Sequence, residues 1–125
     1  MRLLLDTHTL IWWLADDQTL SAEARGAIGD DRNQPFVSAV TAWEIAIKRA
    51  SGKLDSPSDL EAALDASGLA QLPITVEHAL ATEVLPFHHR DPFDRMLIAQ
   101  ASVEGLTIVT RDARFAAYRV AVLPA

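Results

Sequence analysis

The sequence predicts a single α/β domain over residues 1–125, with a mostly parallel sheet of about five short strands and helices on both faces. Short leucine-rich or β-branched runs alternate with segments of helical periodicity along the whole chain. Alternation of this kind favours right-handed strand–helix–strand units on a parallel sheet. The length of 125 residues suits one domain with one core, and half of the residues are hydrophobic.

The first half of the chain is predicted to contain two strands and three helices. The apolar run Leu3–Leu5 is typical of a buried strand that turns at Asp6 directly into a helix. Ser21 begins a second helix of about eight residues, because its hydroxyl can accept a hydrogen bond from the first turn. Phe36–Val37 is a brief second strand, and Ser38 then caps a third helix that reaches about residue 50.

In the second half, turn and capping residues separate three further helices from three short strands. The sequence Ser56-Pro57-Ser58-Asp59 places a cap, a first-turn proline and an acid before a fourth helix that ends at Ser67-Gly68. Asp91-Pro92-Phe93-Asp94 opens a long helix in the same way, and Gly105 closes it. The remaining elements are a strand at 72–74, a helix from 75 to about 83, a strand at 107–110, a short helical turn at 113–115 and a last strand at 120–122.

Composition excludes several classes of protein. Seventeen acidic residues against eleven basic ones give a net charge of −6, which opposes nonspecific coating of nucleic acid by a broad basic surface. The absence of cysteine excludes disulfides, thiolate zinc sites and thiol nucleophiles. The N-terminus lacks the apolar stretch of a secretory signal, and no apolar run is long enough to span a membrane. We therefore expect a cytoplasmic protein.

Four acids stand where an α/β sheet forms its sites. Asp6 and Asp112 directly follow strands, whereas Glu44 and Asp94 lie on helices that follow or precede strands. Sites form beyond the carboxyl ends of parallel strands, so these side chains are expected to converge. Ionised carboxylates 4 Å apart repel by about 4 kcal/mol per pair, so the cluster needs protons or a cation. Oxygen ligands without cysteine favour Mg²⁺ or Mn²⁺ over Zn²⁺.

Each acid also has a purely structural interpretation. Asp6 and Asp112 are suitable N-caps after a strand, and Glu44 stands four residues before Lys48, the favourable order for a surface ion pair. Lys48 is alternatively a phosphate-binding side chain. Asp91 and Asp94 fit the N-cap and N3 positions of a capping box. Spacing alone leaves both interpretations open for all of them.

The histidines and tryptophans carry weaker signals. His8, two residues after Asp6, either orients water or substrate or simply packs beside a helix start. His88-His89 is a poor metal pair, because adjacent side chains diverge, so a loop contact or an exposed face is expected; His78 is predicted on a helix surface. Packing in the core or in a dimer, rather than base stacking on RNA, is expected for the three tryptophans: Trp12, Trp13 and Trp43.

Four segments together carry a family resemblance: Leu3 to His8, Ser38 to Lys48, Asp91 to Ala101, and Val109 to Asp112. In this order and spacing, the chain resembles PIN-domain ribonucleases, specifically the VapC-type toxins of toxin–antitoxin pairs. The resemblance covers almost the whole chain. It implies a three-layer α/β fold and endonucleolytic cleavage of RNA that depends on Mg²⁺ or Mn²⁺.

The resemblance also assigns roles to individual positions. Asp6, Glu44, Asp94 and Asp112 match the four acids of the family site, and Asp91 matches a less uniform acid. Thr7 and Thr110 match hydroxyl positions that bond to the acids or to bound water, whereas the position of His8 varies among members. We expect Asp6, Glu44 and Asp94 to hold one ion and Asp112 to assist a second ion or the attacking water. The candidates for contact with the RNA backbone are Lys48, Arg95, Arg111 and Arg114.

The resemblance implies partners as well. Family members form homodimers and are inhibited by a VapB-type antitoxin whose C-terminal tail lies along the acidic groove. When the four site acids are left out of the count, the chain has thirteen acidic and eleven basic residues. Much of the negative charge therefore lies where a cation is needed. A haloacid-dehalogenase-type phosphatase is disfavoured, because its second Asp would stand at the position of His8. A non-catalytic binding module is disfavoured because all four acid positions are filled.

Overall fold

The protein is described by a computed structural model over residues 1–54 and 59–125. Its sheet is entirely parallel, with strand order β3-β2-β1-β4-β5, as the sequence predicts for an α/β fold. The strands are β1 Arg2–Leu5, β2 Gln34–Ser38, β3 Ala70–Leu72, β4 Thr107–Thr110 and β5 Ala121–Pro124. The central strand β1 pairs with β2 and β4, so it is covered at both edges by other strands.

Helices cover both faces of this sheet. They are α1 Thr7–Leu14, α2 Ala22–Gly29, α3 Ala39–Ala50, α4 Leu60–Ser67, α5 Val76–Ala81 and α6 Pro92–Glu104, with 3-10 helices at Thr82–Val84 and Ala113–Ala117. Leu3 and Leu5 of β1 pack with side chains of α1, α2 and α4, whereas Leu4 packs with α6. Because successive side chains of a strand point to opposite faces, this division gives a three-layer domain with a buried central strand.

The ends of several elements differ from the predicted ones for simple backbone reasons. The third strand is Ala70–Leu72 rather than 72–74, since Pro73 has no N–H to donate to a neighbouring strand. The last strand is Ala121–Pro124 rather than 120–122, and its proline is tolerated because β5 is an edge strand. The fifth helix ends at Ala81 and continues as the tighter 3-10 turn Thr82–Val84.

The predicted cap of the fourth helix lies partly outside the described residues. Positions 55–58 are not described, but Asp59 is the N-cap of α4 and its carboxylate accepts the backbone N–H of Ala62 at 3.1 Å. Gly68 ends α4, and Gly105 ends α6, in the left-handed conformation that glycine tolerates best. Within residues 1–54 and 59–125, no helix is long and apolar enough to cross a membrane.

Candidate metal centre

An acidic cavity of about 260 Å³ opens at the carboxyl end of the sheet. Asp6 follows β1 and Asp112 follows the adjacent strand β4, so the fold itself brings these two side chains to one place. Helix α3 contributes Glu44, and the start of α6 contributes Asp91 and Asp94. The acidic cavity is lined by these five acids together with Thr7, His8, Trp12, Lys48, Arg111 and Arg114.

Asp6 is both a helix cap and a member of the acidic cluster. Its Oδ1 accepts the backbone N–H of Thr9 at 2.9 Å, which makes it the N-cap of α1. Its Oδ2 accepts the hydroxyl of Thr110 at 2.5 Å, and the residue is 9% exposed. The capping interpretation is therefore correct, and it fixes the carboxylate at the edge of the acidic cavity rather than removing it from the site.

Glu44 lies buried on α3, and both of its oxygens are engaged. Oε1 accepts the hydroxyl of Thr7 at 2.5 Å, and Oε2 lies 2.5 Å from Lys48 Nζ. The hydrogen bond to Glu44 is the main reason that the pKa of Lys48 is raised. The ion pair expected from the spacing is present, but its acid faces the acidic cavity and only the lysine reaches solvent.

Asp94 has a strongly raised pKa. Burial raises its pKa to about 7, with further contributions from the negative charges of Asp91, Glu44, Asp6 and Asp112. Asp91 is the N-cap of α6, and its Oδ1 accepts the backbone N–H of Asp94 at 3.0 Å. The capping interpretation thus holds for Asp91, whereas the side chain of Asp94 points to other acids.

Asp112 is held in its ionised form at the mouth of the acidic cavity. Its Oδ1 accepts the backbone N–H of Arg114 at 2.9 Å, and its two oxygens accept the Arg114 guanidinium at 2.7–3.2 Å. The hydrogen bonds from that side chain are the largest cause of the lowered pKa of Asp112, about 2. Arg114 is exposed, so it neutralises Asp112 from the solvent side.

His89 is the site residue that the sequence interpretation missed. It is 2% exposed, and its Nε2 lies 2.7 Å from Asp94 Oδ2 and 3.4 Å from Asp112 Oδ2. The ring is not oriented for a hydrogen bond to either carboxylate, so among the described residues this buried nitrogen has no hydrogen-bond partner. Of the two alternatives expected for His88-His89, the exposed face is found for His88, whereas His89 is buried and makes a loop contact to the backbone N–H of Asp91.

The available signal for His89 is its position before a helix start. Its Nδ1 accepts the backbone N–H of Asp91, the N-cap residue of α6, at 3.3 Å. His78 uses the same interaction, because its Nδ1 accepts the N–H of Thr75, the N-cap of α5. His78 is 1% exposed and its Nε2 lies 2.8 Å from Glu104 Oε1, so its prediction as a surface residue is wrong: it packs toward α6.

Arg95 does not line the acidic cavity, and its prediction as an RNA contact is withdrawn. Arg95 is 8% exposed, and its guanidinium donates hydrogen bonds to backbone carbonyls in the segment that precedes α6. Buried donors engaged in this way are not available to a phosphate. The accepting carbonyls lie at 2.9–3.2 Å and belong to Thr82, Leu85, Pro86 and His89.

The other basic candidates lie at the mouth of the acidic cavity. Lys48 forms a salt bridge with Glu44 and Arg114 forms one with Asp112, so the positive charge of each is already paired with a carboxylate. Arg111 donates to the carbonyls of Ala125 and Thr19 through Nε and Nη2, and its guanidinium lies 4.7 Å from the centroid of the Trp12 ring. The mouth therefore combines three fixed basic groups with the acids behind them.

Packing in the core or in a dimer was expected for the tryptophans, and the three differ in their exposure. Trp12 and Trp13 are half-buried and pack against the core on the α1 side of the sheet. Trp43 is 59% exposed and packs edge-on against Phe93, with ring centroids 5.3 Å apart. The core alternative is therefore wrong for Trp43, whose apolar side chain lies on the surface beside α6, and packing in a dimer stays a prediction for it.

The donor set suits a hard divalent cation. Five carboxylates line one small cavity, and the pKa of Asp94 is raised first by burial and then by the negative charges of its neighbours. Oxygen donors of this kind are preferred by Mg²⁺ and Mn²⁺. His89, Asp94 and Asp112 each place a possible ligand atom within 4.8 Å of the others. The residues therefore fit a divalent ion.

Comparison with known sequences agrees with this geometry. A sequence model described as "PIN domain" matches residues 3–121. The chain is 30% identical over 119 residues to the ribonuclease VapC22 of Mycobacterium tuberculosis, and the match covers 93% of this chain and 91% of that protein. The PIN domain match at residues 3–121 includes every acid that lines the acidic cavity.

Solved structures with the same fold include complexes of toxins with antitoxins. DNA-bound VapBC from Salmonella typhimurium matches with a TM-score of 0.72 and 19% identity, over 98% of this chain and 97% of that chain. VapBC2 from Rickettsia felis, bound to a promoter fragment, matches with a TM-score of 0.70 and 14% identity, over 98% of both chains. At these identities the likeness establishes the three-layer fold.

Proposed function

Because the chain belongs to the PIN domain family, we propose that it is a metal-dependent endoribonuclease toxin that hydrolyses RNA phosphodiester bonds. The observation that carries this proposal is the convergence of Asp6, Glu44, Asp94 and Asp112 on one acidic cavity. These acids come from four separate parts of the chain, and packing alone does not require them to meet. Their mutual repulsion costs stability unless the site serves a cation.

In this proposal Asp6, Glu44 and Asp94 hold a Mg²⁺ or Mn²⁺ ion, and Asp112 assists a second ion or the attacking water. When bound, the ion lowers the pKa of water and offsets the charge of the phosphate, so no nucleophilic side chain is needed. The hydroxyls of Thr7 and Thr110 hold Glu44 and Asp6 in place through the hydrogen bonds described above. Ordered carboxylates lose less freedom when the ion binds.

Lys48, Arg111 and Arg114 are the basic side chains that we assign to the RNA backbone. They line the same cavity as the acids, so a phosphate that approaches the ion passes within reach of them. Arg114 and Lys48 are each paired with a site acid, and a divalent ion bound to those acids competes for the same oxygens. Loading of the ion therefore makes both cations more available to the phosphate.

The partners that we propose are a VapB-type antitoxin and a second copy of the chain. The similar folds in VapBC complexes and the excess of acids over bases in the acidic cavity support an inhibitor with a basic tail. Exposed apolar side chains near α3 and α5 support a homodimer: Trp43, Val76, Leu80, Val84 and Phe87.

Cleavage of RNA by the purified chain tests the enzymatic part of this proposal. Single-stranded and structured RNAs are incubated with Mg²⁺, Mn²⁺ or EDTA, and small phosphate esters are assayed in parallel. We expect internal cuts in RNA with either ion and none with EDTA. Release of phosphate from esters without RNA cleavage would support a phosphatase, and neither reaction would support a non-catalytic module.

Expression in a host cell tests the toxin–antitoxin part. We expect the chain to arrest growth and a co-expressed VapB-type partner to restore it. The purified complex should cleave RNA more slowly than the free chain, and removal of the partner's basic tail should restore the rate if that tail covers the acidic cavity. Normal growth during expression of an enzyme that cleaves RNA in vitro would separate nuclease activity from a toxin role.

A further inference from the structure

One side of the acidic cavity is formed by aromatic rings. His8 and Trp12 stand four residues apart on α1, and both line the acidic cavity together with the acids. Their ring centroids are 5.9 Å apart and their planes differ by 29°, which is a stacked arrangement. The guanidinium of Arg111 packs over Trp12 at 4.7 Å, so a second planar group borders the same ring.

This stack is held in place from behind and open in front. Trp12 is half-buried and packs against the core on the α1 side of the sheet. Arg111 is fixed by the carbonyls of Ala125 and Thr19. His8, in contrast, is exposed, and among residues 1–54 and 59–125 its imidazole makes no hydrogen bond. Packing explains Trp12 but does not explain an exposed ring stacked upon it within a charged cavity.

We propose that His8 and Trp12 form a subsite for one unpaired nucleobase of the RNA, beside the phosphate that is cleaved. The inference rests on the proposed ribonuclease function. Aromatic side chains bind bases through their π-faces, which requires an unstacked nucleotide and tolerates different bases. His8 is two residues from Asp6, so a base stacked there leaves its own phosphate close to the acids.

The subsite predicts a preference for single-stranded positions. A base inside a duplex is already stacked on both sides, so it reaches His8 only after unpairing. Arg111 adds a positive charge next to the aromatic pair, which suits the phosphate that adjoins the bound base. The enzyme should therefore cut in loops or single strands, with one neighbouring base contributing to affinity largely regardless of its identity.

Substitutions of His8 test the subsite without disturbing the acids. His8→Ala removes the exposed ring, and His8→Phe keeps an aromatic ring without imidazole nitrogens. The matched control is His88→Ala, because His88 is also an exposed histidine with an aromatic contact, to Tyr118, but does not line the acidic cavity. Circular dichroism of each variant checks that the fold is retained.

Binding is measured with a mixed-sequence single-stranded RNA that carries 2-aminopurine, in Ca²⁺, and KM is measured in Mn²⁺. We expect His8→Ala to weaken binding and raise KM by about 5- to 150-fold, the effect of losing one stacked base. His8→Phe should restore most of the affinity, and His88→Ala should leave it unchanged. Replacing each base in turn by an abasic site should weaken wild-type binding at one position and have no effect there on His8→Ala.

Two results would overturn the subsite. Binding by His8→Ala equal to that of the wild type would remove the aromatic contact, and His8→Phe as weak as His8→Ala would assign the imidazole to hydrogen bonding or charge. Failure of the wild type to cleave any RNA would instead contradict the proposed function. Failure of the subsite and failure of the ribonuclease function are distinguishable, because the experiments with abasic RNAs measure binding and do not depend on cleavage.

Discussion

His89 Nε2 lies 2.7 Å from Oδ2 of Asp94, one of the carboxylates that line the acidic cavity, although His89 itself is buried and does not line it. Three contacts hold His89 in place, two through its ring and one through its backbone. Its ring packs edge-on against Phe115 with centroids 5.8 Å apart, its Nδ1 accepts the N–H of Asp91, and its backbone N–H donates to the hydroxyl of Tyr118 at 2.9 Å. Because Nδ1 accepts that N–H, Nε2 is the ring nitrogen that faces Asp94 and Asp112.

His89→Phe should slow RNA cleavage by about tenfold or more while preserving the fold. Phenylalanine keeps the ring volume and the packing on Phe115, but the Nε2 atom beside Asp94 is lost and the backbone N–H of Asp91 loses its acceptor. A tenfold slower reaction corresponds to about 1.4 kcal/mol in the activation free energy. Initial rates in saturating Mn²⁺ measure the effect, with His88→Phe as the matched control. Wild-type rates for His89→Phe would exclude a role in the site.

The contribution of Asp94 to the stability of the metal-free protein should fall as the pH rises from about 4 to about 7. The pKa of Asp94 is about 7 in the fold against an ordinary value of 3.8, so over this interval the folded chain retains a proton that the unfolded chain has released. The slope from this single group is at most about 1.4 kcal/mol per pH unit. Urea unfolding in EDTA at several pH values measures it.

Asp94→Asn provides the control for that measurement. The amide has nearly the same shape and never ionises, so the variant should be more stable than the wild type at pH 8 in EDTA and equally stable near pH 4. Subtracting the two curves removes the titrating groups that do not interact with Asp94, and the lowered pKa of Asp112 acts only below about 4. A difference that does not change with pH would contradict the raised pKa.

Local signals made the fold and much of the acidic cluster predictable from the sequence. Asp6 follows an apolar run and precedes a helical one, and a short polar side chain at that position caps the helix wherever the chain packs. The same geometry places the carboxylate beyond the end of a strand, where α/β sites form. Capping and site formation were therefore compatible interpretations of one position, and the sequence could not separate them because both depend on the same turn.

The polar residues that are buried through distant partners could not be predicted in this way. His89 meets Asp112 and Tyr118, which are 23 and 29 positions away in the chain, and the buried state of its ring depends on those elements packing together. Arg95 is buried because the loop before α6 turns its carbonyls inward. Periodicity indicates which face of a helix is apolar, but burial of a charged or polar group requires partners that only the folded chain supplies.

Asp6→Asn should abolish metal-dependent cleavage and leave the fold intact. Asparagine remains a good N-cap for α1, so the helix keeps its first hydrogen bond, but one negative ligand is lost. Cleavage in Mn²⁺ should fall by at least about 100-fold, corresponding to about 2.7 kcal/mol. The wild type should also gain about 2.7 kcal/mol of stability when Mn²⁺ is present at 100 times its dissociation constant. The variant should gain less at the same Mn²⁺ concentration, and full activity of the variant would contradict the site.

Arg95→Met should destabilise the protein without weakening its contact with RNA. Methionine fills much of the volume of the arginine stem, but the carbonyls of Thr82, Leu85, Pro86 and His89 lose a buried donor. Leaving buried acceptors unpaired should cost about 3 kcal/mol in the free energy of unfolding, measured in urea. At a temperature where the variant is folded, its KM for RNA should match that of the wild type. A folded Arg95→Met that binds RNA poorly would restore Arg95 as an RNA contact.

Arg114→Gln should have the opposite effect. Arg114 is exposed at the mouth of the acidic cavity, so the variant should keep the unfolding midpoint of the wild type and bind RNA more weakly.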